Sequence, residues 1–256
     1  MASTPRTSTA RSGRWAGSVA DVASVTVRYF AAAAVRRRLI AHPTAQPLPA
    51  GARRGYRAAM GTVIANASMS LDGFIAFEDD NIGELFEWYE NGDVEIVNEG
   101  ELPPFHVTQP SADYWRSWVG SLGVLVVGRE LFDLTDGWHG RHPIGVPIVV
   151  VTHEPPRDWS YPGSEDFHFV TGGLATAIER AKQIAGDRDV GLTAGTIAGQ
   201  ALDAGLVDEV AIDLVPVVMG SGKRYFGDAG PARLGDPTSV VQGSRVTHLR
   251  FPVERG

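Results

Sequence analysis

Apolar residues follow no sustained period before Met60 and a clear one after it. Thr62 to Met69 is a β-rich run that stops at Ser70-Leu71-Asp72-Gly73, a turn signal. Residues 77–109 are acidic and aromatic without alternation, which predicts a long excursion carrying one short helix. Ser111 to Gly120 reads as a helix opening at a Ser-x-Asp cap. Val124 to Val127 is continuously apolar, the pattern of a parallel strand covered on both faces, and it runs into Gly128-Arg129 and a short helix with Leu131 and Phe132. Val146 to Val151 and Phe167 to Val170 read as two further strands. Leu174, Ala177, Ile178, Ala181 and Ile184 form one stripe of an amphipathic helix. Asp189 to Leu192 predicts a short strand, Thr196 to Ala204 a helix and Val210 to Val218 a strand. Ser239 to Gln242 and Arg245 to Phe251, separated by Gly243-Ser244, predict a closing β-hairpin. Strands alternating with helices imply an α/β fold with a mixed, mostly parallel sheet and helices on both faces.

Charge divides the chain at the same point. Residues 1–59 hold ten arginines and one acid, Asp21, whereas residues 60–256 hold 13 basic and 29 acidic residues. The first 59 residues are expected to form a basic, disordered extension, and a true start at Met60 would make them no part of the protein. Their Arg- and Ser-rich, acid-poor composition is also that of an organellar targeting segment. The acidic body argues against nucleic-acid binding, which depends on many phosphate contacts. No apolar run reaches the roughly 18 residues of a membrane span, so no membrane partner and a cytoplasmic location are expected. The absence of cysteine removes thiolate chemistry, disulfides and Cys-based metal sites.

Two nucleotide motifs fail. No Gly-x-Gly-x-x-Gly lies between a strand and a helix, and in Gly220-Ser221-Gly222-Lys223-Arg224 an arginine stands where a phosphate loop needs Ser or Thr. Two strand-to-helix junctions remain. Gly128-Arg129 combines close backbone approach with a positive charge, and Gly195-Thr196-Ile197-Ala198 combines small residues with a hydroxyl and a helix N-terminus. Either alone is also an ordinary turn; the pair, in an acidic chain, points to an anionic cofactor. Asp136, His139 and His142 have ligand chemistry but no helical spacing, so no metal is expected. Asp72 reads either as a turn cap or as a catalytic or substrate-binding acid.

Taken together, these segments resemble the dihydrofolate-reductase-like superfamily, and most closely the reductase domain of the riboflavin-biosynthesis deaminase–reductase. The resemblance rests on Ala67-Ser68-Met69-Ser70-Leu71-Asp72-Gly73-Phe74-Ile75-Ala76, on Val127-Gly128-Arg129, on Gly195 to Ala198, on Gly205-Leu206-Val207-Asp208-Glu209, and on Pro216 to Gly222 with Phe226. It implies a three-layer α/β/α sandwich with a C-terminal hairpin, NADPH as hydride donor and a pteridine- or pyrimidine-like substrate. It also implies that Ala67 and Ile75 flank the nicotinamide, that Gly128 and Arg129 hold phosphates, that Thr152 and His153 meet the adenosine end, and that Gly195, Thr196, Ile197 and Ala198 seat the pyrophosphate. A homodimer is the assembly it allows.

Three departures are visible. Thr193-Ala194-Gly195 stands where relatives often carry a glycine run. The excursion replaces the segment in which dihydrofolate reductases place their pterin-binding acid, leaving Glu84, Glu87, Glu90 and Asp93 as candidates for that part. No zinc-binding deaminase segment is present. The expectation is therefore an NADPH-dependent reductase of a small heterocycle. Riboflavin-pathway reduction of an aminouracil ribosyl phosphate is the alternative enzyme, and an idle NADPH-binding scaffold the alternative of another class.

Overall fold

The computed structural model describes residues 61–254, so the expected basic extension over 1–59 lies outside the described residues. An eight-stranded sheet runs through the domain. Its central strands β1 (Val63–Ser70), β5 (Leu122–Gly128), β6 (Ile148–Val151), β7 (Phe167–Val170), β8 (Asp189–Thr193) and β9 (Glu209–Val215) are parallel, in the order β9-β1-β8-β5-β6-β7. The hairpin β11 (Ser239–Gln242) and β12 (Thr247–Pro252) adds antiparallel to β9. A short ladder joins β2 (Phe74–Ala76) to β10 (Lys223–Arg224).

The apolar run in β5 is explained by burial on both sides. Val124 and Val126 enter one core with Val63, Val190 and Val210, beneath helices α3 (Leu174–Ala185) and α4 (Thr196–Asp203). Leu125 and Val127 enter the other with Trp118 of α1 (Gln109–Ser121) and Phe132 of α2 (Arg129–Leu134). Each such side chain, fully buried, contributes about 1.5–3 kcal/mol relative to exposure. Helices on both faces of a mostly parallel sheet make the three-layer α/β/α sandwich expected from the pattern.

Four expectations need correction. Helix α1 starts two residues before Ser111, with Thr108 as the cap and Pro110 in its first turn, where a missing N–H is harmless. Ser111 is instead buried inside the helix. The strand expected to reach Val218 stops at Val215, because Pro216 has no N–H to continue the ladder. The excursion is more ordered than its pattern suggests. A 3₁₀ turn at Glu87–Glu90 and a hairpin of β3 (Val94–Ile96) on β4 (Phe105–Val107) pack Leu85, Trp88, Ile96 and Phe105 against Ala112 and Val215 as a third core.

The eight strands and the three cores described all lie within residues 61–254. A chain beginning at Met60 is expected to keep the thermal midpoint and NADPH affinity of the full chain in a side-by-side melt and titration. Loss of soluble protein would show that the segment before it is part of the fold.

Candidate active site

Strand register builds the floor of the site. Side chains alternate across β1, so Ala65, Ala67 and Met69 pack against the α3–α4 core while Asn66, Ser68 and Ser70 take the other face. Ser68 is opposite Asp213 of β9, and Asp213 is opposite His248 of β12, which sets three polar side chains in a row across three strands. Asn66, Ser68 and Asp213 line a cavity of about 690 Å³ on this face, near the carboxyl end of the parallel strands. Open α/β sheets bind ligands at that end.

The row is tightly bonded. A carboxylate only accepts, so His248 Nδ1 donates to Asp213 Oδ1 at 2.7 Å. His248 Nε2 lies 2.9 Å from Ser111 Oγ, and Ser111 accepts from Thr108 Oγ1 at 3.2 Å. Tyr114 stacks on the His248 ring at 4.3 Å, and Trp88 donates Nε1–H to Ser68 Oγ at 3.1 Å.

The walls are aromatic. Tyr89 stacks on Phe105 with centroids 4.1 Å apart, Trp115 meets both edge-on, and Tyr89, Trp115, Trp118 and Phe86 face the cavity. Burial, and secondarily the charge of Asp213, push the Tyr89 hydroxyl well above its usual range. His142 also faces the cavity, and desolvation holds its imidazole down to about 3, so the ring is neutral at physiological pH. Its Nδ1 accepts from Ile144 N–H at 3.3 Å, which leaves Nε2 as the N–H donor.

The two phosphate-seat junctions meet at one place. A β-carbon on Gly128 would lie 3.4 Å from Ile197 Cγ2, so the two turns are in contact. Ala67, Ile75, Gly195 and Thr196 line the cavity, and the other residues of the expected cofactor set lie outside its lining. Gly195 has φ +91° and ψ −150°, and its N–H donates to Tyr225 O at 2.7 Å. The N–H groups of Thr196, Ile197 and Ala198 have no acceptor among the described residues. Ala198 is fully buried. Arg129 and Thr152 converge: Nη1 reaches Thr152 Oγ1 at 3.1 Å, while Nε pairs with Asp133 at 2.7 Å. Thr152 is buried and His153 exposed on the same turn.

Asp72 lies apart from the cavity. Its Oδ1 accepts from Ser70 Oγ at 2.7 Å and Met219 N–H at 3.1 Å, and its Oδ2 accepts from Gly220 N–H at 2.7 Å. These bonds, that from Ser70 foremost, hold its carboxyl down to about 2. Of the two readings of Asp72 the geometry supports the turn brace, because both oxygens are occupied and the group stays ionised at neutral pH. Since the folded-state value is lowered, the brace is fully present above the unfolded value of about 3.9 and is lost as pH falls towards 2. Loosening of the 70–73 and 217–220 turns is therefore expected between about pH 4 and 2, visible as faster amide exchange at Gly220, and absent in Asp72→Ala, whose exchange should already be fast at pH 7.

The Asp136, His139 and His142 loop disperses its polar groups. Asp136 accepts from the Tyr161 hydroxyl, His139 faces Glu101 at 3.1 Å, and His142 turns to the cavity. Among the described residues no cluster suited to a metal forms. Of the excursion acids, Glu84, Glu87, Glu90 and Asp93 do not line the cavity, whereas Glu78 and Asp80 do. Asp80 and Glu130 clasp Lys223 Nζ, each at 2.5 Å. Burial opposes that charge, but the two carboxylates raise the lysine above its ordinary value.

The sequence reading missed Asn66, Ser68 and Asp213; it singled out His142, in a loop read as solvated or substrate-facing, but not its neutral state. For Asp213 there was a signal: it is a lone acid in an otherwise apolar strand, Val210 to Val215.

Comparison with known proteins follows the same lines. The family described as RibD C-terminal domain matches residues 61–249. A candidate riboflavin-biosynthesis protein from Shewanella sp. PV-4 superposes with a TM-score of 0.59 at 19% identity, covering 76% of this chain and 99% of that one. Acinetobacter baumannii RibD gives 0.51 at 15% identity, covering 77% of this chain and 59% of RibD. A pyrimidine reductase-like protein from Corynebacterium diphtheriae gives 0.51 at 14% identity, covering 77% and 94%. No curated protein sequence matches. These structural likenesses establish the fold, and the match over most of the described residues establishes the family: the chain belongs to the RibD C-terminal domain family.

Proposed function

We propose that the chain is an NADPH-dependent reductase that delivers hydride to a small, flat heterocycle of the pteridine or pyrimidine kind. One observation carries the reading. A helix start whose Thr196, Ile197 and Ala198 N–H groups have no acceptor among the described residues opens, at Gly195 and Thr196, on the same cavity as an aromatic-walled chamber floored by Asn66, Ser68 and Asp213. Unpaired N–H groups at a helix start suit a diphosphate and the aromatic chamber a planar ring. NADPH, when bound, supplies the hydride; the chain's own part is to orient both rings and exclude water.

In this reading Gly195, Thr196, Ile197 and Ala198 seat the pyrophosphate, Ala67 and Ile75 flank the nicotinamide, and Gly128, Arg129, Thr152 and His153 take the phosphate and adenosine end. Asp72 braces the loop that carries Ile75 and takes no part in the chemistry. Among the described residues no helix is long and apolar enough to cross a membrane, and the proposal places the protein in the cytoplasm, as a homodimer. Sedimentation velocity decides the assembly.

Family membership favours one narrower reading, reduction of an aminouracil ribosyl phosphate. Its phosphate needs a cation at the cavity rim. Arg224 lines the cavity and lies 5.9 Å over the Phe74 ring, whereas Arg141 is taken up by Glu99. The test is NADPH oxidation followed by absorbance over a panel of pterins, dihydropterins and aminouracils, one bearing ribosyl phosphate. Turnover of at least one member with NADPH is expected. Tight NADPH binding without any turnover would favour a scaffold, and no binding of either nicotinamide cofactor would refute the reading.

A further inference from the structure

Among the described residues, Asp213 is the only carboxylate in the buried set, with 4% of its surface exposed. Such a group is costly unless its oxygens are satisfied. Oδ1 is satisfied by His248. Oδ2 has no hydrogen-bond partner among the described residues, and Asp213 lines the cavity. A carboxylate kept solely to pair with His248 would be sealed in with it; this one is open on the side where a ligand sits.

The surroundings prepare that oxygen for one kind of partner. Thr108, Ser111 and His248 form a hydrogen-bonded chain that ends at Oδ1, so the carboxylate is held in one orientation from α1 and β12. Its in-register neighbour Ser68 accepts from Trp88 Nε1, and Asn66 donates Nδ2 to Ala211 O at 3.3 Å. Neither makes a hydrogen bond to Asp213. Of the two cations that line the cavity, Lys223 is engaged by Asp80 and Glu130, and Arg224 lies over the Phe74 ring. The partner of Oδ2 is therefore left to the ligand, as an N–H or O–H donor.

We infer that Asp213 is the specificity-determining residue of the chamber, binding through Oδ2 the N–H-donating edge of an amino-substituted heterocycle, with His248 and Ser111 as its positioning residues. The inference rests on the proposed reading, from which it takes the flat ring. A ring presenting only acceptors at that edge leaves a buried carboxylate oxygen unpaired, the arrangement that discriminates most strongly between otherwise similar ligands. Acids of the excursion, which the resemblance offered for this part, are replaced by an acid on the sheet.

Pterin and dimethyllumazine test this, because they share a bicyclic ring and differ in that pterin carries an amino group beside a ring N–H whereas both pyrimidine-ring nitrogens of dimethyllumazine that could bear hydrogen are methylated. By titration calorimetry the wild-type protein should bind pterin at least about tenfold more tightly, the range for a hydrogen bond to a charged group. Asp213→Asn should reduce that preference to within about threefold, leaving NADPH affinity unchanged, and Ser111→Ala should reduce it in part. Equal wild-type affinities, no detectable pterin binding, or a preference retained in Asp213→Asn would each overturn the inference. If Asp213→Asn does not fold, the wild-type ratio decides alone. The two proposals fail separately: NADPH turnover without the pterin preference removes Asp213 from its part, and the preference without NADPH binding removes the reductase reading.

Discussion

Replacing Gly195 by valine is expected to remove NADPH binding while the circular dichroism spectrum stays that of a folded α/β protein. The cause lies in the backbone. At φ +91° and ψ −150° the residue occupies a region essentially closed to residues with a β-carbon, and holding a side chain there costs on the order of 1–3 kcal/mol. A new β-carbon would meet only Ile75 Cδ1, at 3.5 Å, an ordinary contact. The variant therefore relaxes by rotating the Gly195 peptide, which disturbs its bond to Tyr225 O and re-aims the N–H groups of Thr196 and Ile197. The helix cannot follow by sliding, because a β-carbon at Gly199 would lie 2.0 Å from Phe226 O, a measure of how closely α4 is pressed to that turn. The fold survives because the strain is small beside the usual 5–15 kcal/mol of a domain and the cores beneath are untouched. Exposed Gln200 provides the control. Gln200→Gly should cost about 1 kcal/mol of stability through helix propensity and leave NADPH affinity unchanged. Binding by Gly195→Val at wild-type strength would remove the pyrophosphate from this position.

The inner strands β5, β6, β8 and β9 were legible in the sequence because they are buried on both sides and so read as apolar runs. Phe167 to Val170 and Ser239 to Gln242 have the limits their pattern predicts. Errors collect where burial and periodicity part company. Strands β3 and β4 have three residues each, too short for alternation to show, and the residues that anchor the excursion are spaced irregularly because a 3₁₀ turn presents them. Ser111 resembles a cap because serine commonly is one; here its hydroxyl serves His248, a contact 137 residues away that no local pattern can reveal.

The site divides in the same manner. Its proposed phosphate half is built from backbone at two strand-to-helix junctions, and glycine at such a junction is a local signal. That the junctions touch, through Gly128 and Ile197, is a product of the β8-β5 pairing. The ring half is built from side chains brought together by register across β1, β9 and β12 and by aromatic residues from the excursion and α1. These segments lie far apart in sequence. Asp72 shows the converse: it sits in the most recognisable motif of the chain, yet its carboxylate closes a turn.

Loss of the Arg129 side chain is expected to weaken NADPH by about 1.5–3 kcal/mol and NADH much less. The structure sharpens the reason. Nε is spent on Asp133 and Nη1 on Thr152 Oγ1 and the Glu154 carbonyl, which together fix the guanidinium plane, and Nη2 has no partner among the described residues. A planar cation with two edges tied down and one free is preorganised for a phosphate oxygen, so little side-chain entropy remains to be lost on binding. Its side chain is 37% exposed, hence the contribution should shrink as salt is raised. The same bonds also tie α2 to the turn after β6, so a purely structural part has to be separated from a phosphate contact. Asp133→Ala does so: it removes one tether and leaves the charge, and should cost NADPH affinity less than Arg129→Ala does. A uniform loss of NADPH and NADH in Arg129→Ala would mean that the arginine only braces the turn. Equal wild-type affinity for the two cofactors would mean that no group here reads the additional phosphate. A selective, salt-sensitive loss, deeper than that of Asp133→Ala, places the free edge of Arg129 on that phosphate, since only a charge contact the two cofactors do not share produces it.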